Sequence, residues 1–276
     1  MISVRRRKSY FAIFLFFVGF LIMAYPLISD FWNQMISETM VSEYKSDISS
    51  KSAEELNAEY QKAKEYNEQH QFNTVLDVFS GGGEQEEMYM SLLNPSNDGV
   101  MGYIEIPRIS QRIVIYHATG TQELQKGCGH IAGTSLPIGG SGTHAVLAAH
   151  RGLPRAKLFT DIDKLKTGDL FFLFVLNKML AYEVDQIKVV EPDCLDELQV
   201  EEGKDYVTLF TCTPYSVNTH RLLVRGQRTN YSPKEIVTET PIDKCKNYWP
   251  FITIIALLIL GIAFAIRKGT KKQRGG

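Results

Sequence analysis

The sequence has little net charge and lacks the motifs of several common protein classes. Its 276 residues carry a formal net charge of −1, so a generally basic surface for nucleic acid is not expected. Its four cysteines follow no Cys-x-x-Cys spacing, which argues against a zinc site. There is no dinucleotide-binding glycine fingerprint, no phosphate-binding P-loop and no internal repeat. The usual signs of nucleotide, zinc and nucleic-acid binding are therefore missing.

Long uncharged runs lie near both ends of the chain. Residues 9–28 and 248–266 carry no charged side chain, and each run has about the 20 residues needed to cross a bilayer. Basic residues precede the first run and follow the second, so the positive-inside rule places both termini in the cytoplasm. We therefore expect a protein of the cell membrane, with a transmembrane helix at each end and an extracellular middle.

The first uncharged run has an alternative interpretation as a cleaved signal peptide. Its apolar part is longer than the roughly 7–15 residues typical of signal peptides, and no A-x-A-like cleavage site follows. These two features favour an anchor over a cleaved peptide. The middle of the chain is exported under either interpretation.

The exported part begins with a helical pattern. Residues 52–69 start with a Ser-x-x-Glu capping box, and Leu56, Tyr60 and Ala63 recur at spacings of four and three. This pattern predicts an amphipathic helix. Three consecutive glycines at 81–83 follow in a stretch without periodicity, and we predict a mobile loop there.

From residue 100 onward, short β-branched and aromatic runs alternate with Gly, Pro, Asn and Asp. The candidate strands are 100–106, 112–118, 143–150, 170–176, 180–190, 206–212 and 220–228. Seven or eight strands at this spacing predict a mainly β fold, either a sandwich or a closed barrel. We expect a tight turn at Asn177 and Lys178 between two of them.

Cys212 ends one predicted strand, and Arg221 lies near the start of the next. The connection 213–219 is too short for a parallel crossover, so the second strand must return antiparallel and bring Arg221 to the same sheet end as Cys212. A guanidinium suits an oxyanion or a substrate carbonyl beside a cysteine nucleophile. Taken alone, however, a cysteine at a strand end is more typical of a small buried side chain.

A thiolate nucleophile also needs a nearby histidine or another cation. His150 suits this role because it stands where a predicted strand gives way to a loop. His144 starts the same strand and should project from its opposite end. Spacing does not exclude His117, His130 or His220, and His70 lies in the predicted helical part.

Two segments together resemble the sortase family. Residues 208–228, "TLFTCTPYSVNTHRLLVRGQR", resemble the cysteine-to-arginine signature of sortases. Residues 141–169, "SGTHAVLAAHRGLPRAKLFTDIDKLKTGD", resemble their histidine segment in the form typical of class C, the pilin-polymerising enzymes of Gram-positive bacteria. The resemblance spans roughly 92–228. It implies a closed eight-stranded sortase-type β-barrel, with His150, Cys212 and Arg221 as the catalytic trio.

The resemblance also implies a reaction. Sortases cleave an LPXTG-like sorting signal between Thr and Gly. By this likeness the Cys212 thiolate attacks the Thr carbonyl, Arg221 holds the substrate or oxyanion, and His150 protonates the departing amine. A thioacyl intermediate divides the exchange into two steps. In class C enzymes the acceptor is a lysine amine of another pilin, which gives an isopeptide bond.

The implied partners are pilin subunits that carry a sorting signal and an acceptor lysine, together with the membrane. No metal or organic cofactor is required by this reaction, nucleic acid is not expected, and the oligomeric state is left open. Two alternatives remain: a housekeeping sortase that attaches surface proteins to the cell-wall precursor, and a catalytically silent pilus assembly module.

Three positions depart from the family pattern. Ser216 stands where sortases usually have glycine, which would stiffen or reshape the loop beside Cys212. Class C enzymes often carry a lid with an Asp-Pro-aromatic motif, whereas this chain has Asp77, Val78 and Phe79. Our hypothesis is that Asp77 reaches Arg221 and that Phe79 covers Cys212; the alternative is an ordinary loop.

Cys128 is the third departure, because it stands in "GCGH" where an aliphatic residue is expected. We interpret it as a core residue, with a redox or second-thiol role as the alternative. The sequence as a whole predicts five regions. These are a basic start and transmembrane anchor at 1–29, a helical appendage with the candidate lid at 30–91, the catalytic barrel at 92–232, a linker at 233–247, and a transmembrane helix with a basic tail at 248–276.

Overall fold

Helices form the first part of the chain. The computed structural model describes residues 2–69, 87–154, 156–194 and 196–231, with side chains described from residue 15 onward except at 17 and 27. Helix α1 spans Ile2–Ser50, α2 spans Ala53–Gln69, and the short α3 spans Glu87–Ser91. The chain divides into two units, 1–236 and 237–276, and all described residues belong to the first.

Helix α2 begins as its sequence predicts. The Ser52 hydroxyl accepts the Glu55 backbone N–H at 3.2 Å, and the Glu55 carboxylate accepts the Ser52 N–H at 2.7 Å. This reciprocal pair is the capping box, and it satisfies two N–H groups that have no partner within the helix. Leu56 and Ala63 are buried on the apolar face. The predicted amphipathic helix is therefore confirmed, one residue shorter at its start.

Helix α1 is continuous across residues 29 and 30 and packs on the barrel through its second half. The Tyr44 hydroxyl donates to the Met101 carbonyl at 3.0 Å and accepts the Leu176 N–H at 2.7 Å. Glu38 pairs with Arg112 at 2.8 Å. The apolar run 9–28 falls within α1, and 248–266 lies outside the described residues. No helix found within the described part of the chain is both long and apolar enough to span a membrane.

Eight strands close into a barrel in the order β1-β2-β3-β4-β7-β8-β6-β5. The strands are β1 Val100–Ile106, β2 Gln111–His117, β3 Cys128–His130, β4 Thr143–Ala148, β5 Leu170–Val175, β6 Lys178–Val190, β7 Asp205–Thr213 and β8 His220–Arg228. Helix α4, Thr121–Lys126, connects β2 to β3. The closed barrel is confirmed over the sandwich, and its interior is filled by buried aliphatic and aromatic side chains.

Besides strand ends that differ by one or two residues, two details of the barrel differ from the prediction. Strand β3 is absent from the predicted set because its three residues are too short to show alternation; it pairs with β2 in parallel and with β4 antiparallel. The turn between β5 and β6 lies at Leu176 and Asn177, one residue earlier than predicted, since Val175 pairs with Lys178. The contact of the Leu176 N–H with Tyr44 on α1 fixes this position, so tertiary packing overrides the local turn preference.

Candidate active site

Cys212 and Arg221 lie directly opposite each other on neighbouring strands. Strands β7 and β8 are antiparallel, with Cys212 paired to Arg221 and Thr213 paired to His220. Side chains of directly opposed residues project from the same face of a sheet. The predicted antiparallel return after Cys212 is confirmed, and the thiol and the guanidinium share one face at one end of the sheet.

His150 follows the end of β4, on the other side of β7. Strands β4 and β7 are parallel, and their last pair is Ala148 with Phe210. The same register continues past the strand: the Ala149 N–H donates to the Phe210 carbonyl at 3.2 Å, and the Thr211 hydroxyl donates to the Ala149 carbonyl at 2.7 Å. One further step along this register places His150 in the row of Cys212. The three predicted residues thus come together at one end of β4, β7 and β8.

The residue after His150 makes the next contact across to β7. Arg151 Nη1 donates to Thr213 Oγ1 at 2.9 Å, and Nη2 pairs with the Asp163 carboxylate. Arg151 is not among the residues that the sequence predicts for the site. It lies inside the segment that resembles the sortase histidine segment, but its partners are far apart in sequence and only the fold brings them together.

Arg221 and His150 are both partly withdrawn from solvent. Arg221 is buried, and its Nη1 donates to the carbonyls of Asn218 at 3.2 Å and His220 at 3.3 Å. These two hydrogen bonds fix the orientation of the Arg221 guanidinium, a charged group with fixed donors, at the strand end. Burial lowers the pKa of His150 from its ordinary value, because desolvation penalises the imidazolium. The neutral imidazole therefore predominates at neutral pH.

The other described histidines lie in different surroundings. His144 sits at the start of β4, where Nε2 contacts Thr208 Oγ1 at 2.7 Å and Nδ1 contacts the Gln199 carbonyl at 2.9 Å. The expectation that it projects from the far end of the strand is confirmed. His117 and His130 are buried and contact backbone carbonyls, and His220 pairs with Glu191 at 3.2 Å. His70 lies outside the described residues.

Cys128 is a core residue, as predicted. It is fully buried, and its thiol donates to the Val114 carbonyl at 3.4 Å. Burial raises the pKa of this thiol, because the thiolate would lose its hydration without gaining a cation. Cys128 is therefore poorly suited to act as a second nucleophile. The candidate lid residues Asp77 and Phe79 lie outside the described residues.

Ser216 occupies a strained position in the loop between β7 and β8. Its φ is 67°, in the left-handed region that glycine adopts without steric cost. The Val217 and Asn218 N–H groups both donate to the Pro214 carbonyl, at 3.1 and 3.0 Å, so the loop turns tightly here. This geometry explains why glycine would suit this position.

Comparison with known proteins gives the family. A model of the sortase domain matches residues 104–229. Sortase C of Streptococcus pneumoniae is 43% identical with a TM-score of 0.64, covering 71% of this chain and 99% of that one. Sortase C1 of Streptococcus agalactiae is 44% identical with a TM-score of 0.66, covering 72% and 98%.

A more distant relative matches a smaller region. Sortase A of Bacillus anthracis is 29% identical over 136 residues, which cover 49% of this chain and 63% of that protein. The match therefore spans less than two thirds of the length of that relative. Nearly the full length of the solved sortase C structures is matched, at more than 40% identity. The chain belongs to the sortase family of cysteine transpeptidases.

Proposed function

We propose that this protein is a class C sortase that joins pilin subunits through isopeptide bonds. The observation that carries the proposal is the alignment of Cys212 with Arg221 on β8 and with the His150 segment after β4. The likeness to sortase C of S. pneumoniae, a protein described for its catalysis and pilin substrate specificity, supports the choice of substrate. A second supporting relative is sortase C1 of a pilus island.

In the first half of the proposed reaction, Cys212 Sγ attacks the carbonyl carbon of Thr in an LPXTG-like signal as a thiolate. Arg221 donates hydrogen bonds to the oxygen that becomes negatively charged. The C–N bond to Gly then breaks, and the leaving amine takes a proton from the His150 imidazolium. The part of the substrate that ends in Thr remains attached to Cys212 through a thioester, and the part that begins with Gly leaves.

In the second half, a neutral lysine amine of another pilin attacks the thioester carbon. The C–S bond breaks, Cys212 leaves as the thiolate, and the amine proton passes to His150. An isopeptide bond results, and the enzyme returns to its starting protonation state. Burial lowers the pKa of His150, which disfavours the imidazolium member of the thiolate–imidazolium pair.

The proposed location is the cell membrane, with an extracellular barrel and cytoplasmic termini. The uncharged runs 9–28 and 248–266 and their basic flanks support this arrangement. Protease treatment of intact cells tests it: the barrel should be cleaved from outside, whereas an epitope added after residue 276 should remain protected. Protection of the barrel would contradict the arrangement.

Intact mass spectrometry tests the nucleophile. The full chain in detergent is mixed with an LPXTG-type peptide, beside a Cys212→Ala control. We expect a covalent acyl adduct on the unaltered protein alone. An adduct of equal yield on the control would contradict the assignment of Cys212, and its absence from both across several sorting motifs would favour the silent assembly module.

The acceptor separates pilin polymerisation from the housekeeping alternative, which the Sortase A relatives support at lower identity. A lysine-containing peptide and a peptidoglycan-precursor amine are offered together to the acyl-enzyme. Predominant transfer to lysine is expected. Predominant transfer to the precursor amine would make the protein a housekeeping sortase.

The candidate lid remains a hypothesis from sequence. If Asp77 reaches Arg221 and Phe79 covers Cys212, the double variant Asp77→Ala/Phe79→Ala should show faster thiol alkylation and faster peptide hydrolysis than the unaltered chain. A variant of two neighbouring residues outside the motif, Asn73→Ala/Thr74→Ala, serves as the control. Unchanged rates in the lid variant would leave an ordinary loop.

A further inference from the structure

Arg151 joins three segments that meet at the active site. Its side chain is 9% exposed, with Nη1 on Thr213 and Nη2 on Asp163. Thr213 is the residue after Cys212, and Asp163 lies in the 3-10 helix Ile162–Lys164 of the loop that follows His150. A single planar guanidinium therefore joins the end of β7 to two parts of the histidine loop, residues 149–169 between β4 and β5.

The Arg151–Thr213 hydrogen bond has a counterpart one residue before His150 and Cys212. Before the His150–Cys212 row, the Thr211 hydroxyl donates to the Ala149 carbonyl; after it, Arg151 donates to the Thr213 hydroxyl. The two threonines that flank Cys212 are thus each joined to a residue that flanks His150. Ladder pairing between β4 and β7 ends at Ala148. Beyond that point, the side-chain hydrogen bonds of Thr211 and Arg151 keep the two segments aligned.

Strand-like backbone pairing within the described part of the histidine loop consists of one isolated antiparallel bridge, Leu153 with Ala156. The Phe159 N–H donates to the His150 carbonyl at 3.3 Å, and the Gly152 N–H donates to Thr160 Oγ1 at 3.1 Å. Gly152 has a φ of +82°, and a Cβ there would lie 2.9 Å from the Tyr215 ring of the β7–β8 loop. The two loops are therefore in close contact, and Arg151 joins the histidine loop to Thr213 at the end of β7.

The buried side chain of Arg151 leaves one hydrogen-bond donor unsatisfied within the described part of the chain, so a role in stability alone does not account for it. Its Nε is buried without a hydrogen-bond partner among the described residues. A buried guanidinium with an unsatisfied donor costs free energy, and such groups in native proteins call for a specific explanation. In Arg225, by contrast, Nε has a partner: Nε and Nη2 both donate to the Asp185 carboxylate, at 3.1 and 2.8 Å.

We infer that Arg151 is a positioning residue that fixes the separation of the His150 imidazole and the Cys212 thiol by clamping the residues that follow each of them. The inference rests on the proposed function, in which these two groups exchange a proton. It requires arginine rather than lysine, because a rigid fork can donate to Thr213 and Asp163 at once, whereas an ammonium is a single compact donor.

The test uses the full chain in detergent and reads Cys212 directly. The rate of iodoacetamide alkylation at Cys212, resolved by peptide mass spectrometry, is measured from pH 5 to pH 9 for Arg151→Gln, Arg151→Lys and Thr213→Val. Arg225→Gln is the matched control, since it removes a guanidinium of similar burial from β8 at a position away from the trio. Acyl-adduct formation is measured alongside.

We expect Arg151→Gln to slow alkylation at neutral pH about tenfold and to change the shape of its pH profile, because the thiolate loses a well-placed imidazolium. The lysine variant should not restore the profile, and Thr213→Val should shift it in the same direction. The control should lower the melting temperature while leaving the profile unchanged.

Full rescue by lysine would overturn the inference, because charge alone would then suffice. An unaltered profile in folded Thr213→Val would overturn it as well, even if Arg151→Gln failed to fold. Failure of the proposed function is seen separately: the unaltered protein would then form no acyl adduct, while the alkylation profiles would still report whether Arg151 positions the two groups.

Discussion

The Thr211 hydroxyl donates to the Ala149 carbonyl at 2.7 Å, and this bond continues the register of β4 and β7 by one residue beyond their last backbone pair. Thr211 is fully buried. The carbonyl that it satisfies belongs to the residue before His150, so the histidine side of the candidate active site depends on a side chain from the cysteine strand.

Removing this hydroxyl should reduce both stability and activity. Thr211→Val keeps the shape of the side chain but leaves the buried Ala149 carbonyl without this donor, at a cost of about 1–3 kcal/mol in the free energy of unfolding. We expect a lower urea midpoint and slower acyl-adduct formation. Thr211→Ser, which keeps the donor, should restore most of the activity. Equal loss in both variants would show that the methyl group matters more than the hydrogen bond.

Arg221→Lys should lower the rate of thioester formation with little effect on stability. Lysine keeps the charge but loses the fixed donors that face the Cys212 row, and removal of one oxyanion donor typically costs about 100-fold or more in rate. Single-turnover kinetics with an LPXTG-type peptide, beside melting temperatures, provide the measurement. A rate within twofold of the unaltered protein would assign Arg221 a purely structural role.

Ser216→Gly should stabilise the barrel. The left-handed conformation of Ser216 costs a non-glycine residue about 1 kcal/mol, and glycine adopts it freely, although glycine also gives up more chain entropy on folding. We expect a net gain of a few tenths of a kcal/mol to about 1 kcal/mol in urea unfolding. Ser216→Ala, which keeps a Cβ, is the control and should give no such gain. Destabilisation by glycine would show that the serine side chain makes a compensating contact.

His130 should make the fold sensitive to mild acid. Its Nε2 lies 2.8 Å from the Ser135 carbonyl and therefore carries the proton, while Nδ1 accepts from the Tyr89 hydroxyl at 3.0 Å. Burial lowers the pKa of His130 to about 4, below the ordinary 6.5. The unfolded chain therefore binds a proton more readily, and the stability contribution present above pH 6.5 is lost as pH falls towards 4.

The size of this contribution is at most about 3 kcal/mol. Urea unfolding at a series of pH values between 7 and 4 gives the slope, and His130→Gln, which keeps hydrogen-bonding groups but does not titrate, should flatten it. His117 contributes to the lowered pKa of His130, so the same pair of curves is also measured in a His117→Gln background to isolate His130. Parallel curves for the two proteins would contradict the prediction.

Much of the barrel is predictable from sequence because most of its strands are β-branched and aromatic runs bounded by Gly, Pro, Asn and Asp. Strands β1 and β8 have the predicted bounds. The opposition of Cys212 and Arg221 follows from the short connection between their strands. Strand β3 is too short to carry a pattern, and the early turn at Leu176 depends on a hydrogen bond from helix α1. Such contacts between distant segments leave no local signal.

The candidate site divides in the same way. The positions of Cys212 and Arg221 follow from strand geometry, whereas the choice of His150 over five other histidines and the roles of all three come from the family resemblance. Neither strand geometry nor the family resemblance predicts the contacts of Arg151, because only the folded chain brings it to Thr213 and Asp163. A charged residue beside a histidine is too common in sequences to indicate such a contact.

The parallel pairing of β4 with β7 has a further consequence for how this enzyme matures. Side chains alternate between the two faces of a strand, so a slip of one residue between these strands would turn His150 away from Cys212. A misaligned molecule would carry no working pair of thiol and imidazole. Acyl-enzyme formation therefore requires correct assembly of the sheet, and copies with a shifted register would be inactive rather than unselective.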